Sequence, residues 1–306
     1  MLHEKIKQLL TTAFILTSLV ACKDIAPELS NSTLTEPRTV RGAPGPGPDT
    51  QPSSGDNSNL FLGNPSNAQS AIVFNTNYLI DLRYYTISYD SNRGTPNWVS
   101  WYLDKNSMAS NVSRQDNFAG YSGLPANWYT VLTTSYTNSG FDRGHNCPSA
   151  DRLSSVAANF AVFLMINMIP QAPRNNQGVW NNFETYLRTR VNQGNEIYII
   201  MGSYGRGGTG TNGAALTIDQ GRVTVPSNVY KIAVILPVGT NDLNRIENGQ
   251  AEIIAIDTPN LNTVGTNWQN YRVPIRDIEN KTGYKFLSTL SNAAQNRVKS
   301  ALSNAA

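Results

Sequence analysis

Apolar residues in this chain fall into short, dense runs rather than long periodic stretches, and the runs predict its elements. Tyr78 to Ser88 (YLIDLRYYTIS), Asn97 to Leu103 (NWVSWYL), Glu196 to Ser203 (EIYIIMGS), Val229 to Leu236 (VYKIAVIL) and Ala251 to Ile256 (AEIIAI) are rich in β-branched and aromatic residues. Bounded by Gly, Pro, Asn and Asp, they read as strands. Helical spacing appears at Ser155 to Phe163, Asn176 to Val191, Val273 to Thr282 and Ser288 to Leu302. Strands outnumber helices and some follow one another directly. The pattern therefore predicts an α+β fold, an antiparallel sheet core with flanking helices, over alternating βαβ units.

Two upstream segments lack this pattern. Residues 1–21 have a basic start (Lys5, Lys7), an apolar stretch from Leu9 to Val20 and a small Ala21, which reads as a signal peptide too short for a comfortable membrane span. Leu19-Val20-Ala21-Cys22 resembles the lipobox of bacterial lipoproteins. The resemblance implies lipidation at Cys22 and an exported, membrane-anchored protein facing the periplasm or the cell exterior. Residues 22–59 shift to Pro, Gly, Ser and Thr around EPRTVRGAPGPGPDTQPSSGD, and no apolar periodicity runs through them. Such a segment cannot bury enough surface to offset its ordering entropy, so it reads as a disordered tether, with the folded domain spanning residues 60–306.

Composition adds few limits and one anomaly. A net charge of +3, or +2 once residues 1–21 with Lys5, Lys7 and Glu4 are removed, is too small to make the whole molecule a polyanion binder, so any basic patch has to be local. There are 2 His, and since His3 lies in the leader, His145 is the imidazole of the folded part. It sits in FDRGHNCPSADR among Asp142, Arg143, Asp151 and Arg152. The chain has 2 Cys, and a lipidated Cys22 leaves Cys147 without an intramolecular partner. Cys147 beside the imidazole suggests a thiol nucleophile, but no local third group orients the ring, and packing as a small hydrophobe is the better reading. A zinc site would want several His or Cys, which this chain cannot supply.

Downstream, Pro173 precedes a helix start near Asn176, and Trp180, Glu184 and Arg188 follow at intervals of four. At 100° per residue the set fans over about 120° of one helix face, so an amide, a carboxylate and a guanidinium can point the same way. Spacing alone is read first as an ordinary amphipathic helix with a Glu184–Arg188 pair.

Taken together, DRGH with PSADR after it, INMIPQ, NNQGVWNNFETYLR and VPIRDIENKTGYKFL, with LFLGNPSNA, NWVSWYL and SRQDNF upstream, resemble the DNA/RNA non-specific endonucleases of the ββα-metal superfamily. The pattern is nearest to the cyanobacterial sugar-non-specific nucleases and covers about Leu60 to Leu290. The resemblance implies a ββα-metal motif with His145 as general base, Asn176 as the direct protein ligand of Mg²⁺, and Glu184 anchoring the ion through water. It further implies that Arg114, Arg143 and Arg188 hold or stabilise phosphate, and that Asp142 helps build the site, with Asn167 close by in an unassigned role. Mn²⁺ would substitute for Mg²⁺, and DNA and RNA would both be substrates. At Cys147 the chain departs from the small apolar residue usual in the family.

These residue types suit the reaction. Phosphodiester hydrolysis must deprotonate water, neutralise charge on phosphorus oxygens and stabilise a leaving 3′-alkoxide. A neutral imidazole suits the first task, Mg²⁺ with most of its waters the others, and guanidinium groups add fixed charge. Contacts to phosphate rather than base edges predict little sequence preference, 5′-phosphate ends and binding that weakens with salt. The rival expectation is a catalytically inactive, lipid-anchored surface protein that binds a glycan or protein partner on the same fold.

Overall fold

The computed structural model describes residues 49–300 together with the backbone of Thr39–Val40. In chain order its main strands are β1 Tyr78–Asp81, β2 Thr86–Asp90, β3 Thr95–Leu103, β4 Asp142–His145, β5 Met168–Gln171, β6 Asn195–Tyr204, β7 Asn228–Pro237 and β8 Glu252–Pro259. The helices used below are α1 Val156–Val162, α2 Asn181–Asn192, α3 Ile275–Thr282 and α4 Asn292–Ser300. Six strands form one sheet in the order β8-β7-β6-β3-β2-β1, every neighbouring pair antiparallel, while β4 and β5 form an antiparallel pair of their own. This is the α+β architecture expected from the apolar runs.

The central strands are buried on both faces. On β7, Val229, Ala233 and Ile235 join a core that also holds Phe163, Val179, Trp180 and Phe183, whereas Tyr230, Ile232, Val234 and Leu236 join a second core with Ile278 of α3 and Ala294 of α4. Two covered faces explain why these strands read as continuous apolar runs instead of alternating ones. The strand β5 and helix α2 pack on the first face, through Ile169, Phe183 and Leu187.

Several boundaries move. The run from Tyr78 to Ser88 is two strands, because Arg83 takes a left-handed conformation (φ 66°) and Asp81 Oδ1 accepts from both its amide (2.8 Å) and the Thr86 hydroxyl (3.2 Å), turning the chain between β1 and β2. The predicted helix from Asn176 is π-helical over Asn175–Trp180 and becomes α-helical only at Asn181. The helix predicted from Ser288 begins at Asn292; Leu302 lies outside the described residues.

The tether boundary is also corrected. Asp49 accepts from the hydroxyls of Ser154 (2.6 Å) and Ser155 (2.7 Å), and the buried Asn59 takes hydrogen bonds from Ser100 Oγ and the Tyr102 amide. Residues 49–59 therefore belong to the folded unit: their polar groups replace side-chain partners that apolar patterning cannot register. The leader at 1–21, Cys22 and the tether to residue 48, apart from the backbone of Thr39–Val40, lie outside the described residues, as do residues 301–306.

Candidate active site

Strand β4 is the DRGH sequence, and its register against β5 sets the site. Asp142 lies opposite Gln171, Gly144 opposite Ile169 and His145 opposite Met168. A Cβ at Gly144 would meet Gln171 Oε1 at 2.3 Å and Gln171 Cβ at 2.6 Å, so only glycine lets β5 come this close. Beyond His145 the chain is clamped by the fully buried Asn167. Its Oδ1 accepts from the Cys147 amide at 3.0 Å, and its Nδ2 donates to the Cys147 and Val162 carbonyls, each at 2.9 Å. Asn167 thus fixes the exit of β4 to the end of α1, a positioning role.

The His145 ring is partly buried among aromatic rings, 5.0 Å from Phe163 at an interplanar angle of 89° and 5.5 Å from Phe118. The same rings carry two guanidinium groups: Arg143 lies over Phe118 at 4.0 Å and Arg114 over Phe163 at 4.9 Å. The imidazole hydrogen-bonds the Arg143 backbone, while Nε2 has no hydrogen-bond partner. The backbone bond is therefore made through Nδ1–H, which leaves the Nε2 lone pair uncommitted. Desolvation first, then the charges of Arg114 and Arg143, push the imidazole down to about 3. It is a neutral acceptor at neutral pH.

Asp142 joins β4 to the helix. Its Oδ2 accepts from Asn176 Nδ2 at 2.8 Å and from Gln177 Nε2 at 2.9 Å. An ionised carboxylate only accepts, so the Asn176 amide must turn its NH₂ to Asp142 and its oxygen away. The π-helical turn that carries Asn176 is anchored by the buried Asn175, which takes a hydrogen bond from Gln171 (2.7 Å) and donates to Thr258 Oγ1 (2.9 Å) and the Pro259 carbonyl (2.8 Å). Such i→i+5 turns are rare and concentrate at functional sites. Of the adjacent asparagines, one holds the backbone and the other presents an oxygen.

That oxygen is the hard, uncharged donor that suits a cation of the Mg²⁺ type, which keeps several of its waters. Among the described residues no three His, Cys, Asp or Glu side chains converge on one point, so a zinc-type ligand cage has no counterpart there. The residues fit a largely hydrated divalent cation.

Glu184 and Arg188 form a second cluster on α2. Glu184 Oε1 meets Lys231 Nζ at 2.9 Å, Glu184 Oε2 lies 3.8 Å from Arg188, and Arg188 reaches Asp151 Oδ1 at 3.2 Å. Trp180 does not share the polar face with them: it is buried beneath it, with Lys231 Nζ 4.8 Å from its ring. The expected four-residue fan is thus broken, because the π-helical turn shifts Asn176 relative to the α-helical spacing.

The structure therefore gathers Arg114, Arg143 and His145 around the Phe118 and Phe163 rings, joins Asp142 to Asn176, and joins Glu184 to Arg188. Strand β4 and the continuous helix from Asn175 connect the three groups. Sequence reasoning missed Phe118, Phe163, Gln177 and Lys231. Lys231 had a signal: it is the one charge in the apolar run VYKIAVIL. Cys147 is fully buried and burial pushes its thiol up to about 12, which leaves packing as its role.

A family model described as DNA/RNA non-specific endonuclease matches residues 63–293. A protein named Nuclease from Nostoc sp. is 41% identical over 245 residues, spanning 80% of this chain and 86% of its own. Mitochondrial Endonuclease G of Homo sapiens is 26% identical over 212 residues, 67% of this chain and 68% of that one. A chain from the crystal structure of the EndoG/EndoGI complex matches with a TM-score of 0.60 and 21% identity, over 76% of this chain and 91% of that chain, which is a likeness of fold.

Proposed function

The chain belongs to the DNA/RNA non-specific endonuclease family and is an endonuclease acting on nucleic acids; from that premise we propose that it is a Mg²⁺-dependent enzyme in which His145 deprotonates the attacking water. The observation that carries this reading is the uncommitted Nε2 of a neutral imidazole, held between Phe118 and Phe163 with two guanidinium groups alongside.

Arg114 and Arg143 would grip the scissile phosphate beside that nitrogen, and Arg188, paired to Asp151, would meet a neighbouring phosphate oxygen. Nε2 takes the proton of a water that attacks phosphorus, the bond from phosphorus to the 3′ oxygen breaks, that oxygen takes up a proton from solvent, and the phosphate stays on the 5′ side. Arg114 and Arg143 hold the charge that develops on the non-bridging oxygens. Asp142 orients the Asn176 amide, whose Oδ1 would hold Mg²⁺ directly. Asn176 and Glu184 lie on one continuous helix, eight residues apart, so Glu184 would reach the same ion through water. When bound, Mg²⁺ supplies positive charge for the phosphate oxygens and for the departing 3′ oxygen.

All these contacts address phosphate and none addresses a base edge, which favours cleavage of DNA and RNA with little sequence preference. Mn²⁺ would substitute, since the donor oxygen and the hydrated shell suit both ions. The test is plasmid nicking by the full-length chain with Mg²⁺, with EDTA, and with His145→Ala. Nicking that is insensitive to both would overturn the reading. Lipidation at Cys22, and with it a place on a membrane facing the periplasm or exterior, is proposed from LVAC at the end of the apolar leader. A Cys22→Ala chain should leave the membrane fraction; one that still partitions with membranes contradicts the anchor.

A further inference from the structure

Lys231 is a fully buried charge that the mechanism above does not use. It stands in the centre of the sheet, opposite Met201 on β6 and Ile256 on β8, with no exposed surface. Its Nζ lies 4.8 Å from the Trp180 ring, 5.5 Å from the Trp101 ring, and 2.9 Å from Glu184 Oε1. An ammonium in such a place is costly unless it is paired, and Glu184 is the carboxylate that pairs it.

Two cations compete for Glu184. Arg188 is one helical turn away and would close on it as an ordinary i,i+4 pair, yet their nearest atoms stand 3.8 Å apart, and Arg188 makes its shorter contact, 3.2 Å, with Asp151. Lys231 wins because the strand beneath α2 fixes it, whereas Arg188 is a long side chain near solvent. The outcome is a carboxylate with Oε1 pinned from below and Oε2 left for a polar partner in the site.

We propose that Lys231 is a positioning residue for the cation site: it holds Glu184 down onto the sheet, so that Oε2 can accept a hydrogen bond from the hydration shell of the ion and does not collapse onto Arg188. The inference rests on the reading that Asn176 and Glu184 hold a hydrated divalent cation. It makes a prediction whose sign separates it from a through-space effect of charge. Removing a positive charge near a cation site should by Coulomb's law tighten cation binding. Losing the constraint on a water-bridging carboxylate should weaken it, by about 10- to 100-fold for an outer-sphere partner of a metal site.

The test is Mn²⁺ binding by the full-length protein without substrate, followed by electron paramagnetic resonance, alongside thermal melting. Lys231→Met should weaken Mn²⁺ binding at least about tenfold. Lys231→Arg, which keeps the charge and can still reach the carboxylate, should recover part of that loss. In a Glu184→Gln background, Lys231→Met should have no further effect, since there is no carboxylate left to position. Because the double variant leaves no unpaired buried carboxylate, it stays informative if Lys231→Met alone unfolds. Unchanged or tighter Mn²⁺ binding by folded Lys231→Met, or an equal loss in both backgrounds, overturns the proposal for Lys231 alone. Absence of Mn²⁺ binding by the unmutated chain would overturn the cation site itself.

Discussion

At His145, chemistry and stability pull on the same proton. Desolvation and the charges of Arg114 and Arg143 lower the folded pKa to about 3, while the unfolded chain titrates at its ordinary value of about 6.5. Below 6.5 the unfolded state binds the proton and the folded state does not, so this residue's contribution to stability is complete above 6.5 and is lost as pH falls towards 3. For catalysis, kcat/KM reports the free enzyme and should stay flat through pH 6.5, where an unperturbed histidine would bend it. A docked phosphate offsets the two guanidinium charges, so the acid limb of kcat should lie at higher pH than that of kcat/KM. Parallel pH profiles measured on a plasmid substrate check both statements; an inflection of kcat/KM at 6.5 would show that Arg114 and Arg143 do not press on the ring. One residue earlier in β4, Gly144→Ala places a methyl 2.3 Å from Gln171 Oε1 and should cost about 1–3 kcal/mol in urea unfolding, with activity lost at least in proportion as β4 and β5 part. Wild-type stability in that variant would mean that Gln171 can simply turn away.

The elements show which features a sequence reveals and which it hides. The dense apolar runs were legible as strands because burial on both faces of the sheet demands them, and DRGH and the NNQGVW helix were legible through their resemblance to a family. The π-helical turn was not, because Asn176, Trp180 and Glu184 keep the four-residue spacing of an α-helix, and Asn175 is tied not only to Gln171 four residues before it but to Thr258 and Pro259 of β8, which are distant in sequence. Lys231 is comparable: one charge in an apolar strand is visible, but its partner Glu184 is 47 residues upstream and is found only once α2 lies across β7. The anchoring of the π-helical turn is testable through Asn175. Asn175→Ala removes the acceptor for Gln171 and the donor to Thr258 and Pro259, which should cost about 1–3 kcal/mol by leaving buried partners unpaired. If those ties place Asn176, the folded variant should also need more Mg²⁺ for half-maximal nicking. An unchanged Mg²⁺ requirement would mean that Asp142 alone orients the Asn176 amide.

Across the whole molecule, a net charge of +3 leaves attraction for nucleic acid to a local set, Arg114, Arg143 and Arg188, so KM for DNA should rise with salt by a slope matching a few neutralised phosphates. A slope near zero would place substrate binding elsewhere. The boundary of the folded unit bears on function in a second way, because residues 49–59 support the site from behind. Asp49 binds the hydroxyls of Ser154 and Ser155, and Ser155 caps α1 by accepting from the Ala158 amide at 3.1 Å. Helix α1 ends against Phe163, the ring edge-on to His145. Asn57 donates its amide to Tyr198 OH at 2.8 Å, and Asn59 joins Ser100, Tyr102 and Arg83. A chain starting at Leu60 would lose the hydrogen bonds made by Asp49, Asn57 and Asn59, at about 1 kcal/mol each. Several such losses, at about 2–4 °C per kcal/mol for a domain of this size, should lower Tm by roughly 10 °C or more relative to a chain starting at Asp49. Activity should fall first on warming, since the α1 cap and Phe163 lie on the path from the lost segment to the imidazole. Paired thermal melts and nicking assays of the two chains decide the matter. Equal Tm values would return residues 49–59 to the tether; equal Tm with unequal activity would show that the segment shapes the site without stabilising the fold.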